Sequence, residues 1–245
     1  MTAPLRTEEL LIALVAELIG SVRHVAVGAA SPIPAAAALL AAARTPAMRV
    51  SLLSSRRHNF FTDGGRELFD CAGQGRVDVF FLSGGQIDGQ GNINLVALGD
   101  YARPSVRFPG SFGSAYLYFV VPRVILFRLE HSRRTLVEQV DFISAPGTSP
   151  PGVYRPGGPV ALVTGLCRFD FDRERGGFTL ASLHPGHSLE EVRDCTGFDF
   201  ALAPDLGVTR LPDAETLARI RGPVARDLAE VYPAFTTRLF GVSPS

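Results

Sequence analysis

The chain has 245 residues, 46% of them hydrophobic and 20% charged, with 24 basic and 24 acidic side chains and a formal net charge of zero. That balance fits a globular protein with room for one large α/β domain or two small ones, and it excludes a disordered chain. No basic surplus exists to hold nucleic acid or an anionic membrane, and because every basic residue is arginine, no lysine Schiff base or lysine general base can come from this chain.

Leu10, Leu11, Leu14, Val15, Leu18 and Ile19 recur at helical spacing behind Thr7, read as an N-cap. His24-Val-Ala-Val-Gly28 predicts a short buried strand. Ser31-Pro32 predicts the start of an alanine-rich helix that reaches Ala43, with serine as cap and proline in the first turn. Its small side chains suit close helix-on-sheet contact. Arg49-Val-Ser-Leu-Leu53 predicts a second strand, Glu67–Ala72 a short helix, and Val77-Asp-Val-Phe-Phe-Leu82 a third strand. This alternation predicts an α/β fold, an open and mostly parallel sheet with flanking helices, taken as a single domain over residues 1–245.

The second half changes texture. Arg123–Leu129 predicts a strand. Residues 144–160 form a long loop rich in proline and glycine, read as a surface loop within the domain because strands resume at once in Pro159–Gly165, Arg168–Phe171 and Phe178–Leu183. Ser188-Leu-Glu-Glu191 is a capping box that opens a short helix to Cys195. Two helices are predicted after it, Ala214–Arg221 and Val224–Leu239. Cys71, Cys167 and Cys195 are odd in number and lack metal-ligand spacing, so they are expected to be small buried thiols, with no metal. The N-terminal residues lack a signal-peptide pattern, and the longest apolar run, Ala115–Phe127, is broken by Pro122 and Arg123. A cytoplasmic protein without a transmembrane span is expected.

The densest signal is Gly84-Gly-Gln-Ile-Asp-Gly-Gln-Gly-Asn-Ile-Asn-Leu-Val-Ala-Leu-Gly99, directly behind the Val77–Leu82 strand. Glycine and asparagine cluster in turns because they tolerate positive φ. A buried strand opening into such a loop is also how α/β sheets present backbone amides to a ligand. The residues alone fit either reading.

The order Q-I-D-x-x-G-N-x-N in Gln86–Asn94 resembles a signature of the β subunits of family I coenzyme A transferases of the glutaconate type. Three further stretches are similar to that family: Pro109-Gly-Ser-Phe-Gly-Ser-Ala115, with Phe112 where a glycine is usual; Arg133–Gly147; and Ser182-Leu-His-Pro-Gly186 followed by Glu191-Val192 and Thr196-Gly-Phe198. Together they cover roughly residues 8–222. The resemblance implies a fold of the CoA-transferase and ribose-5-phosphate isomerase kind. It also implies an α-type subunit, in an αβ or α2β2 assembly, with acyl-CoA bound at the subunit interface. No cofactor is implied beyond coenzyme A as part of the substrate. The residues implied to bind substrate or CoA are Gln86, Asp88, Gly91, Asn92 and Asn94, then Gly110, Ser111 and Gly113; Arg56 and Arg57 join them as candidates from their own place at a strand end.

In that family a β-subunit glutamate just past the second or third strand attacks the acyl-CoA thioester, giving an acyl-glutamyl anhydride and then a glutamyl-CoA thioester. Here the matching stretch, Leu52-Leu-Ser-Ser-Arg-Arg-His-Asn-Phe60, has no carboxylate, and the nearest are Asp63 and Glu67. A branch of the family, the β subunits of ring-opening hydrolases of steroid catabolism, also lacks it and is similar at Ser182–Gly186 and Val192–Thr196. There the catalytic glutamate belongs to the α subunit. Three expectations therefore stand: the β subunit of a CoA-transferase-like enzyme, the β subunit of such a hydrolase, or a scaffold β subunit without catalytic groups. A small-molecule sensor on the same fold is a further class, and no DNA-binding segment supports it.

Single residues carry paired readings. Arg56, Arg57 and His58 are either a solvated turn or binders of phosphate or carboxylate. His184 is either a turn histidine that holds backbone groups or a catalytic one. Arg133 and Arg134, with Glu138 and Asp141, are either surface ion pairs or contacts to the α-type subunit.

Overall fold

Thr7–Ile19 forms helix α1, whose buried face carries Leu11, Ile12, Val15 and Ile19, each without exposed surface. At about 1.5–3 kcal/mol per buried side chain, this face anchors the N-terminal segment. Thr7 is the first helical residue and not the cap: Arg6 precedes the helix, and the Glu9 carboxylate reaches back to the Arg6 amide at 3.0 Å. The computed structural model describes residues 4–243, and these fall into two compact units. The first holds the residues up to Cys71, Arg76–Phe80 and those from Arg210 on; the second holds Ala72–Gly75 and Phe81–Thr209.

In the first unit β1 (His24–Val27) is buried along its whole length, the apolar run Val25–Val27 by its pattern and His24 with both ring nitrogens hydrogen-bonded. Helix α2 (Pro32–Arg44) packs on α1 and on β1 and β2 (Arg49–Leu52), its alanines allowing close approach. Ser31 precedes α2 but does not cap it. Both the first and third helical positions are proline, so the amide that a serine cap normally holds is missing, and the Ser31 hydroxyl turns to Ala29 O at 3.2 Å. After α3 (Gly64–Gly73), β3 (Val79–Leu82) pairs with β1 through Val25 opposite Val79, and β1 pairs with β2 in register His24↔Arg49; both pairings are parallel.

The second unit opens with two small antiparallel hairpins, β4 (Gln86–Ile87) with β5 (Ile93–Asn94), and β6 (Ala97–Leu98) with β7 (Val106–Arg107). Helix α4 (Ser114–Val120) follows, in a stretch whose aromatic, β-branched texture gave no helical signal. Then β8 (Arg123–Arg128) pairs parallel with β9 (Pro159–Thr164), and β10 (Cys167–Asp172) runs antiparallel to both β9 and β11 (Gly177–Leu183). Helix α5 (Leu189–Cys195) begins at the expected box, with the Ser188 hydroxyl accepting from Glu191 N at 3.2 Å. The last strand, β12 (Ala201–Val208), pairs parallel with β11. Phe169, Phe171, Phe178 and Phe198 pack with ring centroids 5.0–6.1 Å apart and close this unit's core. Residues 144–160 lie wholly in this unit and reach no regular element until Pro159.

The chain then returns to the first unit. Helix α6 (Ala214–Arg219) runs into a π-helical turn, Ile220–Val224, that absorbs Pro223, then into α7 (Ala225–Ala229) and α8 (Pro233–Phe240). The expected long final helix is thus broken before Pro233, which cannot continue a helical hydrogen-bond ladder. Arg221 grips the fully buried Glu9 through two contacts of 2.6 and 2.8 Å. Burial alone would raise the Glu9 carboxyl, but this guanidinium and the Arg6 amide hold it below the usual carboxylate range. No helix among the described residues is long and apolar enough to cross a membrane.

Candidate functional site

The Gln86–Asn94 segment is a closed hairpin in which Gln86, Asp88, Asn92 and Asn94 are buried and Gln90 is exposed. Asp88 is its hub. One carboxylate oxygen accepts from the amides of Gln90 (3.0 Å) and Asn92 (3.1 Å), and the other accepts from the Asn92 side chain (3.1 Å). Asn92 passes the linkage on, its side-chain oxygen accepting from Gly147 N at 3.1 Å. Asn94 donates to Gln86 Oε1 and to Ala97 O, both at 2.7 Å. Gln86 in turn donates to Asp141, whose other oxygen accepts the Gly99 amide at 2.6 Å. Gly91 sits at φ +73°, and a Cβ there would crowd the Phe171 ring at 3.1 Å. Four of the five candidate residues on this loop therefore spend their side chains on its shape, and the fifth has none.

Gly110, Ser111 and Gly113 lie on the turn after β7. Within it Phe112 holds a left-handed φ of +43°, rare for a residue with a side chain, and leaves its ring 87% exposed. The turn leads straight into α4, where Tyr118 is fully buried and donates its hydroxyl to Gly91 O at 2.8 Å. Burial pushes that phenol well above its usual range, so it stays a donor. The glycine-serine turn and the hairpin are thus joined through one helix.

A cleft of about 790 Å³ borders the hairpin. Asp88, Gly89, Gln90 and Asn92 form one side, and Glu138, Gly177 and Asp199 are among the residues of the others. Three carboxylates line it and no arginine or histidine does. It therefore offers hydrogen bonding and negative charge, and no cation for a phosphate.

Arg56 and Arg57 lie in the first unit, on the turn after β2, and both are exposed. This turn is closed by a carboxylate that the local sequence does not contain. Glu230 accepts the buried Ser55 hydroxyl at 2.7 Å and the Arg56 amide at 2.8 Å. Ser55 Oγ itself accepts from the amides of Arg57 and His58. Burial works against the charged form of Glu230, yet the Ser55 hydroxyl and the turn amides hold its carboxyl below the usual range. Asp63 pairs with Arg66 at 3.1 Å, and Glu67 accepts from Thr62 N, Thr62 Oγ1 and Asp63 N. Both local carboxylates are engaged away from Ser54–Arg57.

His184 is buried between Thr209 Oγ1 (2.9 Å) and Thr164 O (3.1 Å), as a histidine that holds backbone would be. His131, which the sequence did not single out, bridges Thr164 and Thr196 at 2.8 and 2.9 Å. Desolvation lowers both imidazoles to about 4, so they are neutral braces. Of the thiols, Cys167 alone is buried, its pKa pushed to about 12 by desolvation, while Cys71 and Cys195 are half-exposed. The expected pairing of Arg133 and Arg134 with Glu138 and Asp141 does not form: Arg134 bonds Glu130 at 2.9 Å, and Arg133 donates to the Asp194 carbonyl at 2.7 Å. Asp141 is already committed to Gln86 and Gly99.

Comparison with known proteins matches residues 12–194 to the coenzyme A transferase family model. A 3-oxoadipate CoA-transferase subunit of Pseudomonas knackmussii is 37% identical over 161 residues, 63% of this chain and 62% of that protein. The cholesterol ring-cleaving hydrolase IpdB subunit of Rhodococcus jostii is 34% identical over 160 residues, 64% and 62% of the two chains. The chain therefore spans about three fifths of the curated relatives it matches. The crystal structure of Rhodococcus jostii RHA1 IpdAB superposes with a TM-score of 0.80 at 26% identity, over 94% of this chain and 99% of that one. The crystal structure of the decarboxylase AibA/AibB does so at 0.76 and 29%, over 93% and 99%.

Proposed function

The chain belongs to the coenzyme A transferase family, and from that footing we propose that it is the β subunit of a two-subunit enzyme acting on acyl-CoA thioesters at its interface with an α-type subunit. The observation that carries this is the Gln86–Asn94 hairpin, which the family resemblance marks and whose internally satisfied side chains hold backbone along a 790 Å³ cleft. In this reading the side chains of Gln86, Asp88, Asn92 and Asn94 keep the loop rigid, Gly91 permits its turn, and the backbone of Gly89 and Gln90 meets the substrate. A rigid loop costs no reorganisation when charge develops on the thioester oxygen. The acidic cleft takes the neutral pantetheine and acyl parts and a cationic loop of the α subunit. Gly110, Ser111 and Gly113 border the same substrate, while Arg56 and Arg57, in the first unit, are exposed cations that a phosphate can meet. No cofactor besides coenzyme A is needed.

The attacking carboxylate comes from the partner. An anhydride-forming nucleophile must be a carboxylate, and Ser54–Arg57 offers serines and arginines instead. An acyl-serine ester would be too stable to regenerate a thioester. One further reading has a specific support: the 34% identity to the ring-cleaving hydrolase subunit favours a hydrolase in which the partner's carboxylate directs water to the substrate.

Co-expression with an α-type subunit is expected to give a stable, active complex, whereas the chain alone is expected to be inactive and poorly soluble because an interface face is left open. An active, monodisperse monomer would count against the reading as a whole. To place the nucleophile, the complex is incubated with a reactive acyl-CoA, trapped with borohydride or hydroxylamine, and digested for peptide mapping. Adducts are expected only on the α subunit. A modified Glu67 or Asp63 would restore a β-subunit nucleophile.

A further inference from the structure

A second cavity, of about 420 Å³, opens in the first unit where β1 and β2 begin, and three arginines line it: Arg23, Arg49 and Arg76. Arg23 pairs with Asp78 at 2.6 Å. Arg49 and Arg76 have no carboxylate partner among the described residues. The one carboxylate in the lining, Glu67, is already held by Thr62 and the Asp63 amide. His24 in the same wall is buried, with both ring nitrogens committed to Arg76 O and Ser51 Oγ, and burial holds it neutral, so it adds no negative charge that would oppose an anion. Three arginines thus face the ionised Glu67 and the Asp78 that pairs with Arg23, which leaves one positive charge in excess at this cavity in a chain that is neutral overall. The cavity also has a flat apolar wall. Phe60 keeps 55% of its surface exposed, whereas its neighbour Phe61 keeps 6%. The Arg49 guanidinium carbon lies over the Phe60 ring, 4.6 Å from its centroid. An exposed ring stacked with arginine is a platform for a planar base, and guanidinium groups beside it are phosphate ligands.

We propose that this cavity binds a nucleoside phosphate, with the base on Phe60 and the phosphate between Arg49 and Arg76. Such chemistry has two sources, a free nucleotide or the nucleotide end of coenzyme A. The proposal does not depend on the acyl-CoA reading above, since binding is measured without turnover.

The test is calorimetric titration of the full chain, carried on a solubilising fusion partner, with ADP, CoA and inorganic phosphate, alongside alkylation of Cys71, which lines the same cavity. Saturable ADP binding is expected, at least tenfold tighter than phosphate. Arg76→Gln and Phe60→Leu are each expected to weaken it at least tenfold, and bound ADP should protect Cys71 from N-ethylmaleimide. If CoA competes and binds more tightly than ADP, the source is the nucleotide end of coenzyme A; if ADP binds and CoA does not displace it, the source is a free nucleotide. Arg76 and Phe60 are exposed, so both variants should keep the wild-type melting transition. No saturable binding of ADP or CoA overturns the proposal. So does ADP binding that is indifferent to both Arg76→Gln and Arg49→Gln, or phosphate binding as tightly as ADP.

Discussion

Two turns in this molecule are each organised by one carboxylate, and they differ in where it comes from. In the hairpin, Asp88 ties amides that lie two and four residues ahead of it. In the turn after β2, Glu230 ties Ser55 and Arg56 across 175 and 174 residues of sequence. The first is buried; the second is half-exposed. A local hub closes its loop at little entropic cost, whereas a remote one holds only while the whole unit is folded. The hairpin is therefore the more rigid of the two, and the β2 turn is the one whose shape can be lost by loosening the C-terminal segment.

Acid tests the contrast most strongly. The second unit, besides Asp88, contains His184 and His131, both neutral and lowered to about 4 from an ordinary 6.5. Because the folded-state pKa is depressed, the unfolded chain takes up protons first, and stability is lost as pH falls from about 6.5 to about 4. His184 alone accounts for roughly 3 kcal/mol over that window. His131, more exposed, gives less. Denaturant midpoints at pH 7, 5.5 and 4.5 should fall in that order, and His184→Gln should flatten the dependence. A flat profile in the wild-type chain would contradict the neutral assignment.

Next comes Asp88→Ala, which strips acceptors from buried amides and is expected to cost roughly 3 kcal/mol. In a chain of this size that is a drop in Tm of about 6–12 °C. A loss under 1 kcal/mol by calorimetry would mean that the hairpin is not hub-organised. Gly91→Val forces a β-branched residue into the left-handed region against Phe171, costing about 1–3 kcal/mol. Together with Asn92→Leu it should lower kcat/KM at least about tenfold, or roughly 1.4 kcal/mol of transition-state stabilisation. Unchanged kinetics in a folded variant would leave the hairpin as a structural turn. The smallest effect should be Glu230→Gln. Solvent screening limits it to about 1 kcal/mol, and hydrogen exchange at Arg56 and Arg57 should rise more than at Gln90 and Asn92. Equal effects of the Asp88 and Glu230 substitutions would erase the comparison.

The same contrast explains what was legible in the sequence. Apolar periodicity and alternation marked α1, α2 and the strands β1, β2, β3, β8, β9, β10 and β11, and the Ser188 box marked α5, because each is written in adjacent residues. The Gln86–Asn94 stretch was legible for the same reason as a glycine-rich loop, but not as two paired strands. The strand β12 was not: Pro204, Asp205 and Gly207 break its pattern and most of its side chains face outward, so only pairing with β11 makes it a strand. Helix α4 was hidden by β-prone aromatic residues that packing overrode. The binding of Glu230 to the β2 turn had no sequence signal, since the two segments meet only in three dimensions.

The first unit is assembled from both ends of the described chain, with the second unit's residues spliced between them. On a ribosome the β2 turn is made early, but its clamp and the Arg221 grip on Glu9 are encoded beyond Thr209. At about 5–20 residues per second, the roughly 130 residues in between take some 7–26 s to synthesise. For that interval α1, α2 and β2 wait without their closing contacts while the second unit, nearly all of it in the run Phe81–Thr209, is free to fold. Birth order is thus inverted, and a premature stop after Thr209 would spare the later-made unit and leave the earlier one unfinished.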